Sequence, residues 1–105
     1  MAQPKVTNST SEGYIKVVEG VERKTLVYGE KTLLSEFRLE KGKLLPLHIH
    51  PQEQTGYLVS GHIILIINGE RYDIQPGDSW VIPANVDHGS EIMNTPATYL
   101  RLRLG

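Results

Sequence analysis

No cysteine occurs in the 105 residues, which excludes disulfides, thiolate nucleophiles, zinc–thiolate sites and iron–sulfur clusters and leaves the redox compartment open. An excess of either charge is equally missing. Eleven Lys and Arg stand against 12 Asp and Glu, for a net charge of −1, and with no basic block the electrostatic footprint of a nucleic-acid binder is absent. No apolar run approaches the length of a membrane span, and Met1 to Glu12 hold no apolar core of the kind a signal peptide needs. No window sustains helical periodicity over three turns. Serine elbows, phosphate loops and dinucleotide fingerprints are absent as well. The expectation is one soluble, cytoplasmic domain over residues 13–105 behind a flexible tail of residues 1–12, with no nucleic-acid or membrane partner.

What is present is a succession of short β-rich runs separated by turn residues. Tyr14 to Val18, Val21 to Tyr28 and Thr32 to Leu39 come first. In the third run Leu33, Phe37 and Leu39 share one face and Glu36 and Arg38 the other, the period-two pattern of a half-buried strand. His62 to Ile67 and Glu70 to Ile74 flank Asn68-Gly69, a strong hairpin signal because both turn residues tolerate positive φ. Gln75-Pro76-Gly77-Asp78 leads into Ser79 to Ile82, which Pro83 stops. Gly89 to Met93 and Ala97 to Leu104 complete nine or ten strands. That count, without a helix, predicts an all-β antiparallel sandwich or barrel.

The chemistry concentrates between Gly42 and Gly61. His48 and His50 are separated by one residue, so on an extended backbone both rings point to the same face. Gln54 follows at even spacing, while Glu53, at odd spacing, points away unless the chain bulges there. His88 arrives later, behind Pro83-Ala84-Asn85-Val86-Asp87. Imidazole nitrogen and amide oxygen are plausible ligands for a first-row divalent metal.

As a pattern, Gly42-x5-His48-x-His50-x3-Gln54-x6-Gly61 resembles the first conserved motif of the cupin superfamily, and Gly77-x5-Pro83-x-Asn85-x2-His88 resembles the second. The resemblance implies a small jelly-roll, or double-stranded β-helix, barrel of two antiparallel sheets, and a divalent metal (Zn, Mn, Ni or Fe) held by His48, His50, Gln54 and His88. Gln54 stands where glutamate is usual, Asn85 where glycine is common, and Ile92 where an asparagine is expected. Asparagine is well suited to a left-handed turn, so the second departure spares the fold. The first has an electrical consequence: with neutral donors only, a divalent ion keeps its whole +2 charge, binds less tightly and favours an anionic ligand.

The resemblance further implies a metal-dependent enzyme acting on a small, oxygen-rich, anionic metabolite, with sugar-acid isomerisation or ketonisation as the leading chemistry. The single-domain cupins that convert unsaturated uronates to keto sugars look similar in length and in the His-x-His-x-x-Glu-Gln run. Their last-strand aspartate and phenylalanine are replaced here by Arg101 and Arg103. The alternatives are an iron-dependent dioxygenase and a non-catalytic metal-binding or ligand-binding cupin, and the family also suggests a homodimer. On the last strand the simple expectation puts Leu100, Leu102 and Leu104 in the core. If the polar face turns inward instead, Arg101 clamps a substrate carboxylate and Tyr99 donates or orients a proton. Trp80 reads as core or interface, Tyr57 as packing, His62 as exposed or interfacial, and Asp87 as capping a turn.

Overall fold

In the computed structural model, which describes residues 3–104, ten strands and no helix are found. They are β1 (Ile15–Val18), β2 (Val21–Tyr28), β3 (Thr32–Leu39), β4 (Leu44–His48), β5 (Gln54–Ser60), β6 (Ile63–Ile67), β7 (Glu70–Ile74), β8 (Ser79–Ile82), β9 (His88–Ile92) and β10 (Ala97–Leu104). They form two antiparallel sheets, ordered β1-β2-β3-β10-β5-β8 and β4-β9-β6-β7, which face each other as a jelly roll. The β6–β7 hairpin turns on Asn68 (φ 50) and Gly69 (φ 81), as the sequence predicts. At Gly61 (φ 93) a Cβ would lie 2.6 Å from the Ala97 Cα, so β5 leaves its sheet where only glycine fits.

The interior is graded along its strands. At one end Leu58 of β5, Ile63 of β6, Ile92 of β9, and Ala97 and Tyr99 of β10 are buried together with Val21, Phe37 and Leu39. Continuing along the same inward faces, β5 presents Gly56 and Gln54, β9 presents Ser90 and His88, and β10 presents Arg101 and Arg103. One end of the barrel is therefore a packed apolar core, and the other is a largely apolar cavity into which these polar side chains project.

The last strand corrects the simple expectation. β10 lies between β3 and β5 in the larger sheet, with Tyr99 paired to Phe37 and to Leu58. Burying Ala97 and Tyr99 against these partners fixes the parity of the strand, so Arg101 turns inward while Leu102 and Leu104 stay 43% and 60% exposed. Tyr57 faces away from Gln54, as its parity implies, but the packing role expected of it is corrected. With Gly56 and Leu58 inside, it lies on the outer face, 47% exposed and not packed into the core. His62 is outside too, paired with Asp73. Among the described residues no helix is long and apolar enough to cross a membrane.

Before β1, Lys24 Nζ donates to the Thr10 carbonyl at 2.7 Å and Lys5 Nζ sits 4.3 Å over the Tyr28 ring. These contacts lay residues 3–13 along the outer side of β2.

Candidate metal centre

His48 closes β4 and stands across the ladder from His88, the first residue of β9. Pro46 sits inside β4, which is tolerated because β4 is an edge strand and the register shifts between Leu45 and His48. Gly89 permits that irregularity, since a Cβ there would come within 2.6 Å of the Leu45 carbonyl oxygen. His50 lies past the end of the strand, where its carbonyl accepts the Asn85 amide at 2.9 Å. Asn85 adopts φ 62, the left-handed conformation its sequence position requires. Asp87 supports the neighbouring turn through its backbone carbonyl, which accepts the Asn68 amide at 2.8 Å.

These constraints bring three imidazoles together. The ring centroids of His88 lie 4.2 Å from those of His48 and 4.8 Å from those of His50, and His48 and His50 are 5.6 Å apart. Each Nδ1 faces a backbone carbonyl two residues away: Pro46 at 2.8 Å for His48, Gln52 at 3.0 Å for His50 and Val86 at 2.9 Å for His88. A carbonyl only accepts, so each Nδ1 carries the proton and each Nε2 is left with a lone pair. The Nε2 atoms of His50 and His88 are buried without a partner, which is uncommon for a buried acceptor. Tautomers fixed from behind by carbonyls, with bare nitrogens in front, are what metal-ligating histidines show. One ligand atom from each of the three lies within 4.8 Å of the others, so these residues fit a divalent ion.

Burial lowers the pKa of His50 and of His88 below the ordinary histidine value, opposed by their hydrogen bonds to Gln52 and Val86 respectively. Both rings are therefore neutral at neutral pH and their lone pairs are available. Gln54, 5% exposed, turns inward with its Oε1 buried and without a partner, while Glu53 is exposed. The donors gathered at the cluster are thus imidazoles and an amide, with no carboxylate among them.

The histidines open onto a cavity of about 340 Å³. Its floor is aromatic: Phe37 and Tyr99 stack with ring centroids 4.8 Å apart, and Trp80 meets Tyr99 edge-on at 5.6 Å. Trp80 packs against the core as expected and also walls the cavity. Arg101 is 8% exposed, with its guanidinium carbon 4.7 Å over the Phe37 ring. Burial draws its pKa down to about 10, so it remains a cation at neutral pH. Burial raises the Tyr99 pKa and keeps the phenol protonated.

Trp80 reaches this position because Gly56, its partner across the β5–β8 ladder, has no side chain. A Cβ at Gly56 would come 2.2 Å from the indole. Gly56→Ala is expected to displace Trp80 and cost about 1–3 kcal/mol, the usual range for overpacking. Denaturant unfolding followed by tryptophan fluorescence checks this, and an unchanged midpoint and emission maximum would refute it.

His48, His50, Gln54 and His88, the residues of the two sequence motifs, line one cavity, and Arg101, whose direction the sequence leaves open, turns into it. Arg23 of β2, which no motif marks, also lines the cavity. The available signal was parity, because Arg23 shares a strand face with the buried Val21.

A cupin-domain family model (described as "Cupin domain") matches residues 35–101. No curated protein sequence matches the chain. Among solved structures, KdgF from Halomonas sp. superposes with a TM-score of 0.90 at 21% identity, over 97% of this chain and 94% of that one. An RmlC-like cupin from Shewanella frigidimarina does so at 0.87 and 20% identity, over 98% and 92%. The polyketide cyclase RemF from Streptomyces resistomycificus does so at 0.84 and 19% identity, over 97% and 80%.

Proposed function

The chain belongs to the cupin family, and on that premise we propose that it is a divalent-metal-dependent enzyme acting on a small, oxygen-rich, anionic metabolite, with isomerisation or ketonisation of a sugar acid as the reaction class. One observation carries the proposal: bare imidazole nitrogens with fixed tautomers converge on a cavity that also presents a buried cation with no carboxylate partner among the described residues. The ion would be held by His48, His50 and His88 through Nε2 and by Gln54 through Oε1. When bound there, a divalent ion with only neutral protein donors supplies Lewis acidity to a substrate carbonyl or enolate oxygen.

The chain's own groups do the rest. Arg101, steadied over Phe37, donates paired N–H bonds to the substrate carboxylate and fixes its orientation. Tyr99, held as a neutral phenol, is suited to donating a hydrogen bond or a proton and not to removing one. Phe37 and Trp80 exclude water from the reacting carbons. The resemblance of the His-x-His-x-x-Glu-Gln run to the uronate-ketonising cupins supports the reaction class, while Arg101 and Arg103 point to a different substrate.

The test is proton exchange. Metal-loaded protein is incubated in D2O with a panel of unsaturated uronates and keto sugar acids and followed by NMR. Deuterium is expected at the carbon next to the carbonyl of at least one acid, and the incorporation should vanish with chelator. Oxygen uptake without such exchange would contradict isomerisation and turn the assignment to a dioxygenase.

A further inference from the structure

Three arginines, Arg23, Arg101 and Arg103, line the same cavity as the histidines, and no aspartate or glutamate lines it. Among the described residues none of the three forms an ion pair with a carboxylate, the salt bridges being Lys16–Glu19, Arg38–Glu36, His62–Asp73 and Arg71–Glu91. The Nε atoms of Arg101 and Arg103 are buried without a hydrogen-bond partner. Arg101 is buried and Arg23 and Arg103 are half-buried, and cations so placed are ordinarily paired, because desolvation and mutual repulsion otherwise destabilise the fold. Here the mutual repulsion is felt: Arg103 and Arg23 add to the burial that lowers the Arg101 pKa.

The sheet register sets out the three charges. Arg103 pairs with Gln54, at the histidine end. Arg23 pairs with Phe37, and the guanidinium of Arg101 lies over that same ring. One carboxylate satisfies one guanidinium bidentately, so a single anionic group leaves the rest of the cluster uncompensated.

We infer that the cavity is specific for a compact metabolite carrying two anionic groups, a dicarboxylate or a carboxylate with a phosphate, one seated beside Gln54 and Arg103 and the other between Arg101 and Arg23. This deepens the proposed function and rests on that use of the cavity. Arg103 then acts as the specificity residue, selecting dianions over monoanions of the same skeleton, and Arg23 supports Arg101 at the seat both share.

Calorimetric titration at fixed ionic strength tests the inference with two probe pairs that differ by one anionic group: lactate against malate, and glycerate against 3-phosphoglycerate. At least one dianion is expected to bind about tenfold or more tighter than its partner, the order of one charge-assisted bidentate contact. Whichever dianion shows the preference distinguishes the dicarboxylate from the phosphorylated acid. Arg103→Gln should erase most of that preference and leave the monoanion within about twofold, while Arg101→Gln and Arg23→Gln, which alter the seat both members share, weaken both members of a pair. Equal binding within both pairs, or a preference that survives Arg103→Gln, would overturn the inference.

Thermal melting of the ligand-free protein provides a second readout. Arg103→Met should melt at or above the wild-type temperature, because it removes an unpaired cation; a fall of many degrees would mean the fold itself uses the charge and would contradict the inference. Metal content measured on the same samples separates the two proposals. A dianion preference in protein that takes up no metal overturns the metal-dependent function alone, and normal metal content without the preference overturns the dianion inference alone.

Discussion

Purified without an affinity tag or chelator, the wild-type protein is expected to hold about one equivalent of iron, manganese, nickel or zinc, and His88→Ala almost none. His88 is the hub of the cluster, close to both other rings and the most buried of the three. Zinc binding by small structural sites is worth roughly 10–16 kcal/mol over four ligands, so one ligand carries about 3 kcal/mol, a loss of about a hundredfold or more in affinity. Stability should follow. An ion present at a hundred times its Kd stabilises the folded state by about 2.7 kcal/mol, which in a domain of this size raises Tm by roughly 10–20 °C. The wild type should show that rise on loading and lose it with chelator, and His88→Ala should show neither. Mass spectrometry and melting curves check both, and full metal content in His88→Ala would refute the assignment.

Gln54→Glu is expected to have an effect of similar size and opposite sign on the metal. A carboxylate beside a divalent ion gains about 4 kcal/mol per charge pair at an effective dielectric near 20, offset in part by several kcal/mol for removing it from water. The net is on the order of 1–3 kcal/mol, or about tenfold to a hundredfold tighter metal binding. Anion affinity should fall for two reasons. The ion's charge drops by one, and the new carboxylate lies across the ladder from Arg103, close to a cation otherwise available to ligand. Competition with a fluorescent chelator measures the first effect and titration with malate the second. Weaker metal binding together with tighter malate binding would contradict the neutral-donor account.

Much of this architecture is legible in the sequence because strands write their burial in a period of two. Thr32 to Leu39 shows the alternation that the structure realises, with Ser35, Phe37 and Leu39 buried. Asn68-Gly69 gives its hairpin through turn chemistry alone. The histidine spacing survives even though β4 ends at His48, because the hydrogen bond from Asn85 holds His50 in place. In β10 the alternation reveals two faces but not which one is inside. The choice rests on pairing with β3 and β5, segments distant along the chain, and on a cavity that accepts arginines where the other end of the barrel accepts only apolar residues. The aromatic floor was hidden for the same reason. Phe37, Tyr99, Gly56 and Trp80 meet only through the register of four strands, and Arg23 gains meaning only when β2 is placed beside Phe37.

X-ray absorption at the metal edge of the loaded protein tests the central claim most directly. Three imidazole nitrogens at about 2.0–2.1 Å with one or more oxygens, the zinc value, is the expected spectrum, reduced to two imidazoles in His48→Ala. A metal bound by oxygens alone, or a spectrum unaltered by His48→Ala, would place the ion elsewhere and contradict the histidine centre.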